Sequence, residues 1–67
     1  MSDLSNQSLK VLAQGDLQEA EALARAALKD EPDDWHCHYA LGQCLRFAER
    51  FREACQELDL ALHLAGC

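Results

Sequence analysis

Apolar residues return along this chain every three or four positions, in four runs separated by turn-forming residues. In the fourth run, Phe51, Ala54, Cys55, Leu58, Ala61, Leu62 and Ala65 fall on one face of a helix. The second run places Leu17, Ala20, Ala24, Ala27 and Leu28 together in the same way. In the third, Trp35, His38, Gly42 and Leu45 share a face, with Tyr39 and Leu41 beside them. The first is the poorest: Leu4, Ser8, Val11 and Leu12, with Leu9 to one side. Gly15-Asp16 separates the first two runs, and Glu31-Pro32-Asp33-Asp34 the next two, because proline disfavours helix at the residue before it. Glu49-Arg50 marks a third break without Gly or Pro, and Gly66 is placed to close the last run. The pattern predicts helices over 3–14, 17–30, 34–48 and 51–65.

Capping residues agree with these limits. Asp16-Leu17-Gln18-Glu19 has the form of a capping box, Asp16 accepting from first-turn amides and Glu19 reaching back. Asp33 or Asp34 can cap the third helix, where negative charge also suits the positive end of the helix dipole. Isoleucine and threonine are absent and valine occurs once, so strand propensity is low.

Laid over itself with Leu17 on Phe51, the chain matches along its length. In that register Glu19-Ala20 falls on Glu53-Ala54, Ala27-Leu28 on Ala61-Leu62, Val11 on Leu45, and small Ser8 on small Gly42. A fixed period of this size marks stacked copies of one supersecondary unit. The small residues have a steric reason: where two helices cross, a larger side chain would push the axes beyond about 8–10 Å. Gly15-Asp16-Leu17-Gln18-Glu19-Ala20, Ala27 and Pro32, then Leu41-Gly42, Leu45, Phe51, Ala54 and Ala61, resemble the tetratricopeptide repeat over essentially the whole chain. The resemblance implies an all-α fold: two helix–turn–helix hairpins, four antiparallel helices, stacked as a short right-handed solenoid. It implies one domain over 1–67, with repeats at 1–34 and 35–67. The chain departs from the family pattern at Gln7, where a large apolar residue is usual, and at Glu49-Arg50, where Gly-Asp is usual. Trp35 comes three residues before the family's aromatic, and Gly66 stands in place of the closing proline. The Glu49-Arg50 departure predicts that the second hairpin turns differently from the first.

Composition narrows the function classes. The net charge of −6, from 12 acidic and 6 basic side chains, opposes binding to a phosphate backbone, so no nucleic-acid partner is expected. The basic group Arg46, Arg50 and Arg52 is interrupted by Glu49 and Glu53 and reads as a solvated turn. No run approaches the ~20 apolar residues that span a bilayer, so no membrane partner is expected. The start of the chain lacks a signal-peptide pattern, which points to the cytoplasm and to reduced cysteines at Cys37, Cys44, Cys55 and Cys67.

Chemistry-bearing residues do not assemble into a catalytic motif, and the chain reads as a non-enzyme without cofactors. His36-Cys37-His38 and Cys44 are zinc-ligand types. Successive helix positions diverge by about 100°, however, so His36, Cys37 and His38 cannot converge on one ion. Cys37, Cys44 and Cys55 read as small buried residues. His36, His38 and His63 read as surface or half-buried side chains, with no nucleophile or orienting partner in evidence.

Binding has more support. The resemblance implies a groove lined by the first helix of each hairpin, which here carries Ser5, Leu9, Leu12 and Ala13, then His36, Tyr39, Gln43, Arg46 and Phe47. Tyr39, Arg46 and Phe47 are residue types that anchor interfaces. Ser5 and Leu9 replace the lysine and asparagine with which some relatives clamp a C-terminal carboxylate, so that recognition mode is not expected. Solenoid repeats generally need about three copies to cover their apolar faces, and this chain has two. Leu58, Leu62 and Ala65, with Leu60 and Leu64 on another side, are therefore expected to be open for self-association as a homodimer, with Leu9 and Leu12 as a second contact. They could equally be the edge of a longer array. The function expected is an adaptor or assembly scaffold for a protein or peptide partner. Two alternatives stand beside it: a small secretion or assembly chaperone, similar in Ala40-Leu41-Gly42-Gln43-Cys44, and a Cys/His metal or redox sensor.

Overall fold

The computed structural model describes residues 3–66, so Cys67 lies outside the described residues. Four helices follow one another: α1 (Asp3–Ala13), α2 (Leu17–Asp30), α3 (Trp35–Phe47) and α4 (Phe51–Leu64). Each boundary lies within a residue or so of the span that the hydrophobic period predicts. α1 packs on α2, α2 on α3 and α3 on α4, with a smaller contact between α1 and α3. The result is two stacked hairpins within 30 × 25 × 16 Å.

The two hairpins turn in the same way, which corrects the expectation drawn from Glu49-Arg50. After α1, the Asp16 N–H donates to the Val11 carbonyl at 3.2 Å, and the Gly15 N–H to Leu12 at 3.0 Å. After α3, the Arg50 N–H donates to Leu45 at 2.9 Å, and the Glu49 N–H to Arg46 at 3.0 Å. Each bond of the second pair joins the repeat counterparts of the first. This closure requires a left-handed residue after the helix. Gly15 supplies it at φ +92, and Glu49 is forced into it at φ +63. The packing of α4 on α3 within the second hairpin therefore accompanies the same turn even where the residue resists it.

The start of α2 also differs in part. Asp16 accepts from the Glu19 N–H at 3.2 Å, the expected cap. The reciprocal half of the capping box is displaced, because the Asp16 N–H is already held by Val11. Asp34 caps α3 by accepting from the His36 N–H at 3.0 Å. Arg50, at the start of α4, makes no capping bond and instead pairs with Glu53 at 2.6 Å.

The core is built on small residues. Ala20, Ala24, Ala27, Ala40, Cys37 and Cys44 are fully buried, with Leu12, Leu41, Leu45, Ala54 and Ala61 nearly so. Gly42 sits where α3 crosses α4. A Cβ there would lie 2.7 Å from Leu58 Cδ2 and 2.8 Å from its Cγ. Its counterpart Ser8 is fully buried at the α1–α2 crossing, where its hydroxyl donates to the Ala20 carbonyl at 2.6 Å. Ser8 also lies 3.6 Å from Cys44 Sγ, tying the first hairpin to the second.

Candidate functional site

The internal repeat makes one end of the molecule a control for the other. α2 is covered by α3, whereas among the described residues the equivalent face of α4 has no helix upon it. Position by position, the consequence is exposure. Leu17 packs against the core, but its counterpart Phe51 is 59% exposed. Leu28 packs against the core, and its counterpart Leu62 is 54% exposed. Ala24 is fully buried, while Leu58 in the same place is half-buried. Phe51, Cys55, Leu58 and Leu62 recur at three to four residues, so they form a continuous outward stripe.

Beside this stripe lies an open cavity of about 190 Å³, lined by Trp35, Tyr39, Leu58, Ala61, Leu62 and Ala65. The antiparallel hairpin explains the set, because the start of α3 meets the end of α4. Trp35 and Tyr39, one turn apart on α3, hold their rings 6.2 Å apart on one wall. Aliphatic α4 side chains form the other.

The expected self-association residues therefore divide. Leu58, Leu62 and Ala65 line the cavity together. Leu60 and Leu64 are exposed on a different side of α4 and contribute nothing to it. Trp35, Phe51 and Ala61 belong to this surface but were not among the expected site residues. Their signal was in the sequence: Phe51 and Ala61 share the α4 face, and Trp35 precedes Tyr39 by one helical turn.

The expected groove divides as well. Arg46 and Phe47 are exposed, Phe47 by 62%, and Leu9, Tyr39 and Gln43 are half-buried. Leu12 and His36 are buried, so neither presents surface to a partner, which corrects both assignments. Leu12 has joined the core cluster. His36 closes the contact between α1 and α3, its Nδ1 2.6 Å from the Ser5 hydroxyl, and Ser5 is likewise buried. The resemblance placed these residues on the groove side of their helices, but nothing in the spacing shows that α1 and α3 meet there. His38 is half-buried, bridging Glu57 at 2.9 Å and the Pro32 carbonyl at 2.8 Å, while His63 is exposed.

Cysteine chemistry is muted by burial. Cys37 and Cys44 are buried, but Cys55 is exposed, contrary to its expected core role. Burial, with Asp34 and Glu31 adding to it, pushes the Cys37 thiol from 9.0 up to about 11. Burial also raises Cys44, partly offset by its contact with Ser8. The thiolate is the reactive and metal-binding form, so both are held in an inert state near neutrality. Glu31, Asp34 and Cys37 bring potential ligand atoms within 4.8 Å of one another, but the thiol among them is the raised one. No helix among the described residues is long and apolar enough to cross a membrane.

A family model described as tetratricopeptide repeat matches residues 11–66. No curated protein and no solved structure matches the chain.

Proposed function

The chain belongs to the tetratricopeptide repeat family, and from that premise we propose that it is a non-catalytic protein-interaction module, an adaptor or assembly scaffold with two contact surfaces. One is the open end of the solenoid, where α4 self-associates through Leu58, Leu62 and Ala65. The other is the outer side of α1 and α3, where Leu9, Gln43, Arg46 and Phe47 receive a partner peptide or helix, with Tyr39 between the two surfaces.

The observation that carries this reading is the contrast between α2 and α4. Equivalent residues are covered on one and open on the other, over an apolar stripe that ends in a cavity. An exposed aromatic and aliphatic surface of this kind is the mark of an interaction site. Two buried, free thiols suit a reducing compartment such as the cytoplasm.

The test is a crosslinking pull-down from native cells with three baits: wild type, Arg46→Ala/Phe47→Ala, and Phe51→Ala/Leu62→Ala. All four residues are exposed, so the variants should keep their helix content. The first variant is expected to lose a specific partner protein, and the second to lose self-capture. If both recover the same proteins as the wild type in the same amounts, neither surface is a binding site.

A further inference from the structure

His38 of α3 touches two other parts of the chain at once, and both contacts are made to atoms that only accept. Its Nε2 lies 2.8 Å from the Pro32 carbonyl, in the loop that joins the two repeats, and its Nδ1 lies 2.9 Å from Glu57 Oε1 on α4. A neutral imidazole has a single N–H and can satisfy one acceptor, leaving a bare lone pair turned toward the other. Both contacts together require a proton on each ring nitrogen. We infer that His38 is a proton-operated tie, which fastens the loop between the repeats to the second hairpin when the ring is doubly protonated and releases the loop when one proton leaves.

The released end follows from acceptor strength. A carboxylate is a stronger acceptor than a peptide carbonyl, so a neutral ring keeps its remaining N–H on Nδ1 for Glu57. The Nε2 proton is the one lost, and the Pro32 carbonyl is let go. The proton count is the same if the second proton sits on Glu57 and Nδ1 accepts it, because the pair still holds one proton more than a neutral ring beside a carboxylate.

The surroundings leave His38 as the group that closes this junction. Its side chain is 14% exposed and that of Glu57 22%, so the pair is shielded from solvent screening yet within reach of water for proton exchange. Among the described residues, the ion pair that Glu57 makes is with His38. Glu53, one turn earlier on α4, is taken by Arg50 at 2.6 Å, and Asp59 lies near exposed His63 at 3.8 Å. The loop adds further acidic groups: Glu31 and Asp34 gather at Cys37, the residue before His38, and Asp33 is exposed. α1 meets α3 at Ser5 and His36, about 200° around the helix from His38. α2 buries Ala20, Ala24 and Ala27, and its Glu21 is paired with Arg25 at 2.9 Å. The tie also adjoins the cavity, since Tyr39 and Leu58, the next residue along each helix, line it.

The sign of the effect is set by the extra proton. The folded arrangement uses a proton that a neutral ring lacks, so its stabilisation is complete below the ordinary imidazole range, near ~6.5, and is lost as pH rises past it. The tie is closed in mildly acidic solution and open in mildly alkaline solution.

The test compares the full chain with Glu57→Gln between about pH 5.5 and about pH 8.5, a range that stops short of the one in which Cys37 titrates. Glutamine keeps the size of the side chain, and its amide N–H can donate to a bare Nδ1, so a neutral ring can still turn its own N–H to the Pro32 carbonyl. Circular dichroism checks that the variant folds. Relative to Glu57→Gln, the wild type should lose about 4 °C or more of Tm across the range; His36 and His63 are common to both proteins and cancel in the difference. The Asp33 amide belongs to the same peptide group as the Pro32 carbonyl, so its NMR shift reports that bond directly. It should move with pH in the wild type and much less in the variant. Parallel melting curves overturn the tie. An Asp33 shift of equal size in both proteins also overturns it, because the ring changes charge in both and only the wild type should release the loop.

Discussion

A single methyl group added at Gly42 measures how closely α3 and α4 approach. Two opposing effects can be sized from the structure. Replacing glycine by alanine inside a helix contributes about 1 kcal/mol through propensity. Against it, the new Cβ would stand 2.8 Å from Leu58 Cγ and 2.7 Å from Cδ2. Turning the end of the leucine cannot relieve the first contact, because Cγ is fixed by the first side-chain torsion. Either Leu58 changes rotamer or the helices separate, and overpacking of this kind costs about 1–3 kcal/mol. Gly42→Ala should therefore destabilise the chain by about 1 kcal/mol, a fall in Tm of about 4–8 °C for a domain this size. In a Leu58→Ala background both close atoms are gone, and the nearest remaining neighbour is the Ala54 carbonyl at an ordinary 3.5 Å. There the same substitution should stabilise by about 1 kcal/mol, giving a coupling of about 2 kcal/mol in a double-mutant cycle. Urea unfolding followed by circular dichroism, at a concentration where all four proteins are monomeric, reads each corner. If Gly42→Ala stabilises both backgrounds equally, the close crossing of α3 and α4 does not exist.

Three further outcomes follow from other parts of the chain. Glu49→Gly relieves a left-handed conformation at φ +63 and should raise stability by about 1 kcal/mol in thermal melts. A loss instead would mean that Glu49 contributes something other than strain. In a Cys67→Ser chain, Cys55 should react with a thiol reagent in the native state, whereas Cys37 and Cys44 should react only at the unfolding rate. Fast reaction of all three would contradict their burial. Because the Cys37 thiol is raised from 9.0 to about 11 in the folded chain, the folded state holds that proton more tightly than the unfolded one. Its contribution is complete below pH 9 and is lost as pH rises toward 11, so stability should fall across that window. Cys37→Ala should flatten the slope, and an unchanged slope would assign the fall to other groups.

Most of the fold can be read in the sequence because it rests on spacing and residue size. The recurrence of Ala20 and Ala27 as Ala54 and Ala61 locates both hairpins. The polar breaks then bound the helices to within about a residue. What spacing cannot supply is context. Glu49 reads as an altered turn, yet with α4 packed on α3 it takes the glycine conformation of Gly15. His36 reads as a groove residue from the resemblance, but it is buried with its ring nitrogen 2.6 Å from the Ser5 hydroxyl of α1. Cys55 reads as a small buried residue because free cysteine often is one, yet it lies on a side of α4 that no helix covers among the described residues. The candidate surface was half visible. The period gave α4 an apolar face, whereas the cavity depends on Trp35 and Leu62 lining it from the two helices of the hairpin, residues far apart in the chain.

The uncovered face of α4 as an interaction surface is tested most directly by sedimentation equilibrium of the full chain from low to high micromolar concentration, beside Phe51→Ala. A monomer–dimer equilibrium for the wild type, shifted strongly toward monomer by Phe51→Ala, is the expected result. Ideal monomer behaviour for both proteins across the whole range would contradict self-association through α4.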